Sequence, residues 1–342
     1  MHGTVHLFDR LPQVARSEAP PVRKAAPPVR ALPLVGVIRN RRSHRNGDPL
    51  PEWRGRATLL VELPARRSEL NEILARFAEK RVDYIVVDGG DGTVRDVLTC
   101  GAGIFGESWP PLIVLPNGKT NALATDLGLP TDWTLADALS AAEEGKSAYR
   151  RPLVVAQRDN ANARVQGFVF GAGAFSAAIS LGQDAHRRGA FNSMAVIVTA
   201  LWSFFQALFG SPGNVWRRGT KMQLRDAEGR ELPHSGRGRS DERYLVFAST
   251  LDRFPGGFRP FREPSGSLRM ALLDNSRLSL LLRVPLIFTG QVSEGTRRLG
   301  YQTLGLEKAE IDIAEHFILD GEAFPAGRYS LSLGPKLRFV IP

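Results

Sequence analysis

Three glycines and two carboxylates share one turn in the run Val-Val-Asp-Gly-Gly-Asp-Gly-Thr-Val, Val86 to Val94, directly after an apolar stretch. Gly89, Gly90 and Gly92 are free to take φ > 0 and let backbone N–H groups close on an anion, and Thr93 opens a helix whose positive end faces the same point. An ordinary strand-to-helix turn needs one glycine and rarely a second carboxylate, whereas this one has the makings of a cradle for the phosphates of a nucleotide. A second polar turn lies in Leu115 to Ala124, Leu-Pro-Asn-Gly-Lys-Thr-Asn-Ala-Leu-Ala. There Gly118, Lys119 and Thr120 can continue the cradle, with Lys119 as a point charge on a phosphate and Asn121 as a helix cap or polar ligand. The Gly-x-x-x-x-Gly-Lys-Ser/Thr spacing of a Walker loop is absent. A third turn sets Asp320 and Glu322 about Gly321, although Asp-Gly is also the commonest hairpin sequence.

Other chemistries find little footing. His2, His6, His44, His186, His234 and His316 are scattered without ligand spacing and read as structural or surface residues. No Ser/His/Asp order is supported by a nucleophile elbow, which argues against hydrolase chemistry. Cys100 stands alone, so neither an internal disulfide nor a thiolate metal site can form, and a reducing cytoplasm suits the chain.

The turns must be held by regular elements, and the periodicity supplies them. Leu34 to Ile38 reads as a buried strand, Leu70, Ile73, Leu74 and Phe77 fall at helical spacing, and Tyr84 to Val87 is a second strand. A helix through Val94, Val97 and Leu98 follows; Leu112 to Leu115 is the next strand, and Asn121 to Leu127 the next helix, stopped by Gly128 and Pro130. This βαβ series implies an α/β domain with a parallel sheet and a ligand site at the carboxyl ends of its strands, where both glycine-rich turns sit. From about residue 152 short strands take over, among them Leu153 to Val155, Gly167 to Phe170, Tyr244 to Phe247 and Leu268 to Leu273. They imply a second, antiparallel β-rich, sandwich-like domain. A long apolar helix is expected at 191–209, near the lower length limit for a membrane span and interrupted by Asn192, Ser193, Thr199, Ser203 and Gln206. It reads as a partly buried helix with an exposed apolar side. Residues 210–243 read as a loop or hairpin.

The net charge of +10 is unevenly placed. Residues 1–45 hold nine Lys or Arg against Asp9 and Glu18, giving 9 − 2 = +7 of that total. Residues 1–33, rich in Pro, Ala and Arg and without an apolar signal-peptide core, read as a disordered basic arm. Such an arm suits an anionic membrane leaflet, nucleic acid, or no partner at all.

Together the three turns resemble the diacylglycerol kinase catalytic family of lipid kinases, which takes in bacterial lipid kinases, sphingosine kinases and ceramide kinases. The resemblance runs from about Leu34 to Pro342. Asp88-Gly89-Gly90-Asp91-Gly92-Thr93 resembles the family's nucleotide loop, and Leu115 to Asn121 with Leu127 to Pro130 its second loop. Gly171 to Phe175, Arg187-Arg188-Gly189 and Leu319 to Glu322 fall in the family's order. Of the family's first loop only Asn40 and Ser43 carry over, because Asn40-Arg41-Arg42-Ser43-His44 replaces the usual Asn-Pro-x-Ser/Ala-Gly. Ala122 stands where many bacterial members have Asp, and Ala174 to Ser180 lacks an acidic residue that many relatives place there.

The resemblance implies a nucleotide domain over residues 34–151, completed by residues 323–342, and a β-rich acceptor domain over 152–322. It implies ATP and Mg2+, with phosphates held by the Gly89 to Thr93 and Gly118 to Thr120 backbone and by Asn40, Ser43, Asn121, Arg187 and Arg188. Asp91 and Glu322 would assist the metal ion. Asp320 is the implied general base, with Asp91 the competing candidate. The acceptor would be a hydroxyl of a membrane lipid (diacylglycerol, ceramide or a sphingoid base), met at the inner face of the membrane with help from the basic arm. Nucleic acid is set aside, and assembly with like chains stays open. The helix at 191–209, residues 278–288 and Phe254, Phe258 and Phe261 could line an acyl slot or dock on a bilayer. Two rivals remain: an NAD kinase, which shares the Gly-Gly-Asp-Gly-Thr loop, and a non-catalytic lipid-binding protein on a kinase scaffold.

Overall fold

The computed structural model describes residues 8–14, 30–41, 57–118, 120–176, 218–235, 238–257, 259–261, 268–275, 278–283, 286–287, 289–290 and 292–342. Ser43, Lys119, Arg187, Arg188, Phe258 and the helix expected at 191–209 lie outside them. Among the described residues no helix is long and apolar enough to cross a membrane.

Short β-branched runs with no polar interruption become the strands of a parallel sheet, as expected for strands covered on both faces. They are β1 (Leu34–Arg39), β2 (Thr58–Glu62), β3 (Tyr84–Gly89) and β4 (Leu112–Pro116), followed in the sheet by β18 (Leu337–Val340) and β5 (Ser147–Arg150) in the order β2-β1-β3-β4-β18-β5. β18 runs parallel to β4, and β5 is antiparallel to β18. Helix α1 (Glu69–Glu79) buries Leu70, Ile73, Leu74 and Phe77 against one face together with α2 (Asp91–Phe105). The other face is covered by α4 (Leu135–Glu143), held at its start by a Thr134–Asp137 capping box. The short α3 (Ala122–Leu127) follows the second glycine turn.

Two antiparallel sheets form the sandwich. One orders β10 (Glu242–Arg243), β9 (Thr220–Arg225), β14 (Lys308–Ile313), β17 (Gly327–Leu333), β6 (Leu153–Gln157) and β7 (Asn160–Gly167). The other orders β13 (Tyr301–Leu306), β12 (Leu268–Leu273), β11 (Leu245–Ser249), β8 (Val169–Gly173), β15 (Phe317–Leu319) and β16 (Glu322–Phe324). Their facing side chains, including Val155, Phe170, Met270, Ile311, Phe317 and Leu331, make one core. The chain passes from the first of these sheets to the second at Phe168, between β7 and β8.

Two expected boundaries move. Residues 323–342 do not return to the parallel sheet as a block: β16 and β17 belong to the sandwich, and β18 is the returning strand. Residues 1–33 are not an unstructured arm throughout, because Phe8 to Val14 lie along β7 and β16. Val14 N–H donates to the Asn162 carbonyl at 2.7 Å, and Leu11 is buried in the sandwich core. Apolar Phe8, Leu11 and Val14 give this stretch a face to bury that the Pro/Ala-rich remainder lacks.

Asp126 on α3 ties the two parts together. Its carboxylate, with the side chain 0% exposed, accepts from Arg150 Nε at 2.5 Å and from the backbone N–H groups of Asp252 and Arg253 at 2.6 and 2.8 Å. Removing one partner of such a buried set strands the others. Asp126→Ala is therefore expected to cost about 3–5 kcal/mol of stability, read as a lower urea midpoint.

Candidate functional site

The site is built at the carboxyl ends of two neighbouring parallel strands. Register pairs Gly89 of β3 with Pro116 of β4, so the two glycine turns leave the sheet side by side. A Cβ on Gly90 would lie 2.8 Å from the Gly118 Cα, and one on Gly118 would fall onto the Gly90 Cα in return. Backbone meets backbone here, with no room for a side chain. The glycines are required for this approach and not for left-handed backbone. Gly89, Gly90, Gly92 and Gly118 are not among the glycines at positive φ, which corrects the expectation from the sequence.

Gly90 is the N-cap of α2, so the helix starts two residues earlier than expected, at Asp91. Thr93 and Val94 N–H groups turn back to the Gly90 carbonyl at 2.9 and 3.2 Å, which leaves Asp91 and Gly92 to present the end donors of the helix. A Cβ on Gly89 would lie 2.5 Å from Thr93 Oγ1, and that hydroxyl accepts from Asn40 Nδ2 at 2.9 Å. Asn40 thus reaches the first glycine turn from the end of β1.

Asn121 shapes the second turn from within. Its Oδ1 accepts from Gly118 N–H at 3.0 Å, and its Nδ2 donates to the Pro116 and Gly118 carbonyls at 3.0 and 2.9 Å. The residue sits at φ 49, a conformation that Asn tolerates. With its side chain so engaged it makes no cap for α3. Asp91 supplies the cap from the other turn, accepting from Ala122 N–H at 2.9 Å and Leu123 N–H at 3.2 Å. Burial raises the Asp91 proton affinity above the ordinary carboxylate value, against the pull of those two amides and of Arg95. Asp91→Ala should loosen the start of α3 at about 0.5–2 kcal/mol, a shift visible in thermal unfolding.

Asp320 and Gly321 are the turn of the β15–β16 hairpin, with Leu319 opposite Glu322 and φ of 46 and 83 at the two central residues. The hairpin reading of Asp-Gly therefore holds. Asp320 faces back onto the strand switch, accepting from Phe168 N–H at 3.1 Å and Val169 N–H at 2.9 Å. A Cβ on Gly167 would fall onto its Oδ2, so a glycine there lets the carboxylate in. Burial and the neighbouring Asp91 carboxylate raise its proton affinity to about 7, against Arg95 and the two amides.

Two residues central to this geometry had no role assigned from the sequence. Asp88, buried at the end of β3, pairs with Arg39 at 3.2 Å and accepts from Asn117 Nδ2, knitting three strand ends beneath the turns. Arg95 lies four residues after Asp91 on α2, 2% exposed, and donates to the Leu319 carbonyl at 3.3 Å and to Asp96 Oδ1 at 3.0 and 3.2 Å. Burial would lower its proton affinity, and the carboxylates of Asp96, Glu322 and Asp320 more than offset that. The signal in the sequence was a charge within an inward stripe, flanked by Val94 and Leu98.

Residues 55–150 match the family model described as the diacylglycerol kinase catalytic domain. The likeness to that family, read above from the motifs, is thereby shown for the stretch that carries the first two turns. The "Probable lipid kinase YegS-like" of Cronobacter sakazakii (strain ATCC BAA-894) is 31% identical over 87 residues, which are 25% of this chain and 28% of that relative's length. The fold itself is alike over more of the chain. A crystal structure described as a diacylglycerol kinase from Bacillus anthracis str. Sterne superposes with a TM-score of 0.63 at 17% identity, covering 92% of this chain and 99% of that one. A second solved structure from the same organism gives 0.63 at 16% identity with the same coverage.

ATP phosphates would meet the end donors of α2 at Asp91 and Gly92, beside the second turn that the Gly90–Gly118 contact holds against the first. For Mg2+ the fit is partial. Among the described residues no group of three or more His, Cys, Asp or Glu is placed to hold a metal ion. An ion here would take most of its ligands from phosphate oxygens, with Asp91 and Glu322 as the nearby carboxylates.

Proposed function

We propose that the protein is an ATP-dependent lipid kinase that transfers the γ-phosphate to a lipid hydroxyl at the inner face of the membrane. The observation that carries this reading is that the Gly90–Gly118 cradle and Asp320 are brought to one place by Asp91 and Arg95 on a single helix. Phosphoryl transfer asks for positioning, charge neutralisation and a proton acceptor. The α2 end donors and the second turn hold the ATP tail. Asp320, with a proton affinity near neutrality, takes the proton of the acceptor hydroxyl. Mg2+, when bound, would neutralise developing phosphate charge, with Asp91 and Glu322 beside it.

A lipid acceptor is supported by apolar side chains on the face of the β13-to-β16 sheet turned away from the sandwich core. Phe247 packs with its ring centroid 5.5 Å from Phe175 and 5.6 Å from both Phe254 and Phe261. Leu280 and Ile287 join the same cluster, and Leu282 and Leu286 near them are exposed. Incubation with γ-labelled ATP and separate panels of diacylglycerol, ceramide, sphingoid base and NAD is the test. Label on a lipid is expected; label on NAD would favour the dinucleotide kinase, and label on neither a non-catalytic scaffold.

A further inference from the structure

The segment Phe8 to Val14 runs from the edge of the sandwich to the back of the candidate catalytic hairpin. Its far end is anchored by backbone: Gln13 bridges to Ala163, Arg164 N–H donates to the Pro12 carbonyl at 3.0 Å, and Leu11 is buried in the sandwich core. Its near end is Phe8, whose N–H donates to the Ala323 carbonyl at 2.9 Å, one residue beyond Glu322. The Phe8 ring stacks on Phe324 with centroids 4.8 Å apart and planes at 5°.

Two guanidinium groups use this aromatic wall. Arg95 lies 5.9 Å from the Phe8 centroid and 5.8 Å from that of Phe324, and Arg67 lies 5.5 Å from Phe8 while pairing with Asp96 at 3.6 Å. A buried guanidinium needs its surroundings to hold it, and ring faces do so without competing for its N–H donors. Those donors stay committed to Asp96 and to the Leu319 carbonyl, one residue before Asp320.

We infer that Phe8 to Val14 is a strap, and that Phe8 is a positioning residue that fixes Arg95 and, through it, the Leu319 to Glu322 turn against α2. Its effect on catalysis rests on the kinase reading above. A segment that merely covered the end of β7 would need apolar bulk at position 8 and no ring.

Phe8→Leu keeps the bulk and removes the ring face; Phe8→Tyr keeps the ring at this half-buried position. Amide hydrogen exchange over residues 317–324 and transfer from γ-labelled ATP are measured on the full chain. Phe8→Leu is expected to exchange faster across that hairpin and to lose about tenfold in kcat with the KM for ATP unchanged, and Phe8→Tyr to match the wild type in both. Unaltered exchange in Phe8→Leu, or faster exchange with unaltered kcat, overturns the inference. A wild type that phosphorylates no acceptor refutes the kinase reading alone, and hairpin exchange then decides the strap by itself.

Discussion

Asp320→Asn should lower kcat by about 10²–10⁴-fold, the usual scale of a positioned general base, while ATP binding survives. The substitution is mild for the fold. Asn is at ease at positive φ, and its carbonyl oxygen can still accept from Phe168 and Val169 N–H, as Asp320 Oδ1 does. What is lost is the capacity to take up a proton. Lipid phosphorylation undiminished in this variant, with ATP affinity measured by calorimetry as the control, would contradict the assigned base and favour Asp91.

The pH dependence follows from the same carboxylate. With its proton affinity raised to about 7, the group is protonated and idle as a base in mildly acid solution. The wild-type kcat/KM should climb as pH rises toward 7 and level off above it, since this parameter reports the free enzyme. A limb near pH 4 would point to an ordinary carboxylate instead. Stability carries the opposite sign. Between 3.8 and about 7 the folded chain holds a proton at Asp320 that the unfolded chain has released, so the contribution of this residue falls as pH rises through that window.

The parallel sheet, both glycine turns and the switch to antiparallel strands were legible because each is local: apolar runs of strand length, helical spacing at Leu70 to Phe77, and Gly or Pro at the breaks. Helix α1 appears at Glu69–Glu79 around the four residues that announced it. What stayed hidden depends on contacts between distant segments. The role of the glycines is hidden in the sequence because a lone turn suggests unusual φ, whereas the requirement comes from a second turn 28 residues on. Asn121 could have been a cap or a ligand from sequence; hydrogen bonds inside its own turn decide otherwise, and a carboxylate 30 residues earlier caps its helix. Phe8 was lost in an arm whose composition is dominated by Pro, Ala and Arg. Its partners, Arg67, Arg95 and Phe324, are scattered over most of the chain.

Gly118→Ala should weaken ATP binding by about 5- to 150-fold, the equivalent of about 1–3 kcal/mol of overpacking. The new methyl would meet the Gly90 Cα on one side and Asn121 Oδ1 at 2.7 Å on another. Neither neighbour can swing aside: one is backbone, and the other is held by the bonds that close the second turn. The two turns must part, and the cradle proposed for the phosphates opens with them. Gly92 offers the internal contrast. It is helical, and a Cβ there would find only the Arg95 guanidinium nitrogens at 3.8 and 3.9 Å, which is ordinary contact. Gly92→Ala should therefore hold or raise the unfolding midpoint of the nucleotide-free chain, by about 1 kcal/mol of helix propensity, while Gly118→Ala lowers it. Any loss of ATP affinity in Gly92→Ala then comes from crowding at the ligand itself, because the fold is not strained. Full ATP affinity in Gly118→Ala would show that the meeting of the two turns does not shape the nucleotide site.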